Sequence, residues 1–265
     1  MKPAAPLKGT LFLVPTPLDF GCTPQDPAAL ALLLPNETVL VAARLRHWIA
    51  ENAKSARAFL KRVDGDRGLA VPLQSIHITE LPRQVHKKGD HTPTGAADAQ
   101  ARALLDPALQ GHDMGMVSEA GMPAIADPGG SVVRAAHALG IEVRPLTGPI
   151  SLMLALAASG LNGQSFAFVG YVPQDPAERG RRLRELESTA LKAGQTQILI
   201  ETPYRNAALL QALLHTLHPH TRLAVACGLG LPLQCTRSAL LSEWKSGALA
   251  AGLPLDLPAV FLLGR

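Results

Sequence analysis

One stretch of this chain restricts its folding more than any other. A short apolar pulse at residues 114–117 runs directly into Val-Ser-Glu-Ala-Gly-Met-Pro-Ala-Ile-Ala-Asp-Pro-Gly-Gly at 117–130, and a helical pattern follows. That order predicts a buried strand whose loop leaves at its carboxyl end, the rim at which open α/β sheets bind ligands. Gly121, Pro123, Pro128, Gly129 and Gly130 fix the backbone of the loop, and Ser118, Glu119 and Asp127 place polar groups within it. A loop this long in a compact domain points to a ligand. It also reads as a rigid turn in which Asp127 caps the next helix and Pro128 is its first residue. Both readings can hold together.

The same strand, turn, helix cadence recurs along the chain and predicts parallel sheet with helices on its faces. Residues 9–18 read as a first strand whose loop begins at Pro15, without the G-x-G-x-x-G of a dinucleotide site. A helical region over 26–45 breaks at Pro35-Asn36, and a second strand is expected at 48–51. In the helix expected over 52–63, Ala53, Ala56, Phe59, Leu60 and Val63 form a core face, and Lys54, Arg57 and Lys61 an opposite basic stripe. A strand over 69–79, a mobile loop over 83–95 and a helix over 98–109 precede the anchoring loop. After it come a helix at 131–139, a strand at 141–145 and a small-residue helix at 152–159, with a domain boundary near Gly148. The domains expected are therefore 9–147 and 148–265, both α/β. In the second, strands are expected at 164–172, 197–201, 223–227 and 259–263. Helices are expected from the Asp175-Pro176 cap to about Lys192 and over 206–217, with a turn at 202–205.

Composition narrows the function classes. With 47% apolar and 17% charged residues the chain is neither disordered nor strongly polyelectrolytic. The apolar run at 152–158 is too short to cross a bilayer, and the opening residues carry no signal-peptide core, so a cytoplasmic protein with no membrane role is expected. Cys22, Cys227 and Cys235 lack paired spacing and are expected as free thiols. His215, His218 and His220 lie close in sequence without the further ligands a metal needs, and no metal is expected. Gly228-Leu-Gly230 reads as a bend. The net charge of +4 is modest, but its distribution is uneven. Arg44, Arg46, Lys54, Arg57, Lys61, Arg62 and Arg67 crowd one region, Arg83, Lys87 and Lys88 follow, and Arg179, Arg181, Arg182 and Arg184 form a second group. Each alone reads as a solvated helix face; two together raise nucleic acid as a partner.

Four turns at strand ends carry the unusual residues: Pro15-Thr16-Pro17, residues 118–130, Thr147-Gly148-Pro149-Ile150-Ser151, and Glu201-Thr202-Pro203-Tyr204-Arg205. In this order they resemble the tetrapyrrole methylase superfamily, and within it the branch of bacterial ribosomal RNA small subunit methyltransferases of type I. The likeness covers nearly the whole chain. It rests on V-P-T-P after the first strand, on V-S-E-A-G-M-P-A-I-A-D-P-G for the branch's V-S-D-A-G-T-P-x-I-x-D-P-G, and on P-L-T-G-P for its P-L-P-G-P. Ala50-Glu-Asn-Ala-Lys54 resembles the branch's A-E-D-T-R, and residues 200–205 its aromatic, acidic and arginine turn.

The resemblance implies two α/β domains, the first with a mostly parallel sheet and the second mixed. It also implies S-adenosylmethionine in the cleft between them, a homodimer, and methyl transfer to RNA at a ribose 2′-hydroxyl of small-subunit rRNA or a related acceptor. On that reading Pro15, Thr16, Pro17, Glu119, Ala120, Gly121, Pro123, Pro149, Ile150 and Ser151 contact the cofactor from the first domain and its edge, and Thr202, Pro203 and Tyr204 from the second. The donor carries no phosphate, so turn backbone suffices to hold it, and Ser151 at a helix start suits an anionic group. Glu51, Lys54 and Glu119 are the polar groups placed to assist the acceptor as catalytic residues. The departures fall on the acceptor side: Asn52 and Ala53 for acid and hydroxyl, Lys54 for a forked arginine, and Leu18-Asp-Phe-Gly21 where the branch has Ile-Gly-Asn. Two other readings compete: methylation of a tetrapyrrole or other small molecule, which needs a closed apolar cleft, and a non-catalytic protein that binds the donor or RNA.

Overall fold

The computed structural model describes residues 7–19, 27–82 and 95–265. The chain divides into two compact units, Met1–Pro149 and Ile150–Arg265. Among the described residues no helix is long and apolar enough to cross a membrane.

In the first unit the elements run β1 (Thr10–Leu13), α1 (Pro27–Leu33), α2 (Asn36–Arg44), β2 (His47–Ala50), α3 (Ala53–Arg67), a 3-10 turn at Leu73–Ser75, β3 (His77–Glu80), α4 (Gly95–Ala103), α5 (Asp106–Leu109), β4 (Met114–Val117), α6 (Gly130–Ala138) and β5 (Glu142–Pro145). The strands form one sheet in the order β3-β2-β4-β1-β5, every pair parallel. The side-chain period of two divides its core. Phe12 and Trp48 pack with Phe59, Leu60 and Val63 of α3 on one face, whereas Leu11, Ile49, Met114 and Met116 pack with Val132 and Ala136 of α6 on the other. Central β4 is buried throughout. Its Gly115 makes room for Trp48, since a Cβ there would stand 2.5 Å from the indole ring.

Asn52 caps α3 by accepting the Lys54 N–H, and Ala56, Phe59, Leu60 and Val63 are buried while Lys54, Arg57 and Lys61 are exposed, as the periodicity predicts. Two expectations are corrected. The helix expected over 98–109 is broken between α4 and α5, where Pro107 opens the second piece. Asp127 and Pro128 do not start the next helix: α6 begins at Gly130 with Gly129 as its cap, at φ 135°, a conformation only glycine adopts readily.

The second unit contains α7 (Ser151–Ser159), β6 (Phe166–Gly170), α8 (Pro176–Ala193), β7 (Thr196–Glu201), α9 (Pro203–Thr216), β8 (Arg222–Cys227), β9 (Cys235–Leu240), α10 (Leu241–Trp244) and β10 (Ala259–Gly264). Its sheet runs β6-β7-β10-β8-β9; β6 and β7 are parallel and the other pairs antiparallel, so the sheet is mixed. Leu152, Ala155 and Leu156 of α7 cover Ile198, Ala224, Val260 and Leu262, while Leu183, Leu213, Trp244 and Phe261 fill the opposite layer. Asp175 caps α8 by accepting the Glu178 N–H. Residues 203–205, expected as a turn, are the first turn of α9, with Pro203 at the position whose missing N–H is not needed. Strand β9 was not anticipated. Gly228 and Gly230 form a bend, at φ 60° and 81°, that returns the chain into it. Cys227 and Cys235 face each other across β8 and β9 as free thiols, and burial pushes the Cys227 thiol up to about 11. Of the loop expected at 83–95, residues 83–94, with Arg83, Lys87 and Lys88, lie outside the described residues, as do Phe20, Gly21 and Cys22, while Gly95 opens α4.

Candidate functional site

Parallel strands deliver all their carboxyl ends to one rim, and in the first unit this brings together turns that are distant in sequence. The loop after β1 and the loop after β4 are joined by a two-residue antiparallel bridge: the Thr16 N–H donates to the Gly121 carbonyl at 2.9 Å, and the Gly121 N–H to the Thr16 carbonyl at 3.0 Å. Gly121 lies at φ 78°, and a Cβ on it would stand 3.2 Å from Leu18 and 3.5 Å from the Pro149 carbonyl. Gly148, after β5, packs so closely on Pro15 that a Cβ would meet the ring at 2.2 Å. Pro15, Thr16, Pro17, Gly121 and Pro149, all expected to touch a cofactor, thus occupy one rim. Beyond Pro123 the loop holds Ala124 and Ala126 at φ 66° and 63°, left-handed angles that alanine rarely adopts. Strained backbone of this kind concentrates at functional sites.

Beside the bridge the rim opens into a cavity of about 410 Å³, lined by Thr16, Pro17, Asp19, Ala58 and Phe59, by Asn52, Lys54, Ser55 and Arg62 of the β2–α3 connection and α3, and by Ser118 and Glu119. Eight of these eleven residues are polar or charged, and Pro17, Ala58 and Phe59 add apolar wall. Glu119 is fixed by α3: the Asn52 amide and the Ser55 hydroxyl each donate to its Oε1 at 3.0 Å. An amide at position 52 can make that bond, whereas a carboxylate there would face Glu119 as a like charge. The Glu119 N–H in turn donates to Glu51 Oε2 at 3.2 Å. Arg62 is not part of the exposed basic stripe. It turns inward, its Nη1 3.0 and 3.1 Å from the two carboxylate oxygens of Asp19, with the side chains 10% and 1% exposed.

Asp127 is the electrostatic outlier. Burial, and then the neighbouring Glu51 and Glu119 carboxylates, push its carboxyl up to about 7, against the opposing effect of a hydrogen bond with Ser118. Neither Asp127 nor the Asp19–Arg62 pair stood out in sequence as a site residue. The polarity of Asp127 was visible, but its burial among carboxylates depends on chain segments far apart. Of the residues expected to act on the acceptor, Lys54 and Glu119 line the cavity and Glu51 supports Glu119 from behind. In the second unit, Thr202 caps α9 from the end of β7, Tyr204 is 81% exposed, and Arg205 pairs with Glu201 at 2.8 Å while lying over the Tyr204 ring. Ser151 is the first residue of α7, as expected. Among the described residues no group of three or more histidine, cysteine or acidic side chains is arranged to hold a metal ion.

Residues 29–244 match the profile of the Tetrapyrrole (Corrin/Porphyrin) Methylases. The chain belongs to this family. Among its curated relatives, the Ribosomal RNA small subunit methyltransferase I of Halalkalibacterium halodurans is 33% identical over 75% of this chain and 57% of the relative. The protein of the same name from Pseudomonas aeruginosa is 30% identical over 89% of this chain and 71% of the relative. The chain thus spans little more than half the length of the H. halodurans protein. Among solved structures, the fold is shared with CobF of Corynebacterium diphtheriae, described as related to cobalamin synthesis, at a TM-score of 0.53 and 13% identity, covering 97% of this chain and 98% of that one. Two α/β units with one parallel and one mixed sheet are the architecture expected for a tetrapyrrole methylase.

Proposed function

We propose that this tetrapyrrole methylase transfers the methyl group of S-adenosylmethionine to RNA, at a ribose 2′-hydroxyl of small-subunit rRNA or a related acceptor. The observation that carries this reading is the character of the rim. Eight of the eleven residues around the cavity are polar or charged, and Lys54 in its wall continues along α3 into the exposed Arg57 and Lys61, an approach suited to a phosphate backbone. A closed pocket walled only by apolar side chains would favour a small-molecule acceptor instead. The curated relatives' shared name supports the same acceptor class.

The rim also fits the donor. Bridged turns with Gly121 in a left-handed conformation and no space for a Cβ at Gly148 present backbone groups at close range, which suits a ligand without phosphates. Pro15, Thr16, Pro17, Glu119, Ala120, Gly121, Pro123 and Pro149 are the contacts proposed from the first unit. Ile150, Ser151, Thr202, Pro203 and Tyr204 are those proposed from the second. The donor supplies an activated methyl group; the chain supplies alignment and a proton acceptor. Lys54 would meet a phosphate, and Glu119, held by Asn52 and Ser55, would orient the hydroxyl. Asp127, ionising near neutral pH with Glu51 beside it, is suited to take the proton. Self-association as a homodimer is proposed with it, since Phe166 and Phe168 stand partly exposed on edge strand β6. The cytoplasm is the proposed location.

The test is label transfer from methyl-labelled S-adenosylmethionine into total RNA and into tetrapyrrole extracts, followed by nucleoside analysis. A labelled 2′-O-methylnucleoside is expected. Label in the tetrapyrrole fraction alone, or donor binding without any transfer, would overturn the proposal.

A further inference from the structure

We propose that the cavity beside the Thr16–Gly121 bridge receives a single, unstacked nucleotide of the acceptor, with a base heteroatom bound by Arg62 and the phosphate at Lys54. The inference rests on the RNA reading above and says which part of the chain reads the acceptor. Two independent observations support it.

Arg62 is the first. Its side chain is nine-tenths buried in the cavity wall, and both contacts to Asp19 are made by Nη1. The other terminal nitrogen, Nη2, is buried without a hydrogen-bond partner. A buried guanidinium N–H left unpaired is costly, and an acceptor atom on a ligand would remove that cost. Asp19 meanwhile orients the guanidinium, so the pair forms a preset donor.

The second observation is the distribution of groups. Lys54 stands exposed at the first turn of α3, Arg62 lies two turns further along the helix, and Pro17, Ala58 and Phe59 supply apolar wall. A nucleotide carries the complementary order: an anionic phosphate, a polar ribose and a flat ring with acceptors at its edge. At about 410 Å³ the cavity suits one such unit rather than a stacked run, so the target must leave its stack to enter.

The experiment is calorimetric titration of this chain with the four common nucleoside 5′-monophosphates and with ribose 5-phosphate. It compares the parent with Arg62→Met, Asp19→Leu/Arg62→Met and the control Arg102→Met, exposed on α4. The double variant removes the buried pair together, which such pairs tolerate better than loss of one partner; circular dichroism identifies variants that fold. At least one nucleotide is expected to bind more tightly than ribose 5-phosphate. Its affinity should fall about tenfold or more in a folded Arg62 variant and stay unchanged in Arg102→Met. Equal affinity in parent and double variant, or no nucleotide bound at millimolar concentration, would overturn the inference. Methyl transfer to total RNA separates this from the parent reading. Transfer with an unaltered KM in the double variant overturns the inference alone, whereas Arg62-dependent nucleotide binding without transfer overturns the methyltransferase reading alone.

Discussion

Asp127 makes the site pH-sensitive in a direction that can be worked out. Its carboxyl ionises near 3.8 in an unstructured chain and at about 7 in the folded one. Between those values the folded state holds a proton that the unfolded state has released, so this group favours folding less as pH rises, and its full penalty is present above about 7. Asp127→Asn is therefore expected to be more stable than the parent at pH 8, by on the order of 2 kcal/mol, and close to it near pH 4. Denaturant melts at the two pH values measure this, and equal stability at pH 8 would exclude the buried-acid assignment. The same variant should lose methyl transfer if Asp127 is the proton acceptor. At this scale the sequence was informative about chemistry and poor about pairing. The loop at 117–130 announced its polar residues, but Arg62 read as one more cation on a basic helix. Its partner Asp19 lies 43 positions earlier, and no local pattern links the two.

Elements whose periodicity arises within the segment were legible. Helix α3 was read with its buried and basic faces because a 3.6-residue repeat carries that information locally. Strand β9 was not, since Cys235-Thr-Arg-Ser-Ala-Leu lies at a sheet edge and is only partly buried, leaving no clear apolar alternation. Helix α6 begins within one residue of the start read at Ser131, whereas the alternative start at Asp127-Pro128 fails, because only the backbone angle of Gly129 reveals that the chain turns once more before the helix. The turns between elements can be tested directly. Gly148→Ala would drive a methyl group into Pro15, 2.2 Å away, and separate the turn after β5 from the turn after β1. A loss of about 2 kcal/mol in stability is expected, together with weakened donor binding by calorimetry. An unchanged melt would show that the two turns yield freely.

For the molecule as a whole, charge distribution matters more than net charge. The excess of +4 is small, yet Lys54, Arg57 and Lys61 stand exposed along α3, and Arg181 and Arg184 along α8. Replacing Lys54, Arg57 and Lys61 by Gln should leave folding intact. It should also make RNA affinity less salt-dependent, lowering the slope of log K against log salt by about 2 if three phosphates are lost. An unchanged slope would place the RNA path elsewhere. The left-handed alanines at 124 and 126 have a separate consequence. Exchanging both for glycine would relieve backbone strain of roughly 1 to 2 kcal/mol per residue, while the greater freedom of glycine in the unfolded chain takes back about 0.4 to 1 kcal/mol at each. Heat resistance should consequently hold or rise modestly, whereas amide hydrogens along residues 121–129 should exchange faster. Stiffness and thermal endurance can thus be tuned separately in this protein, and a variant chosen for its melting point alone could carry a slackened rim unnoticed.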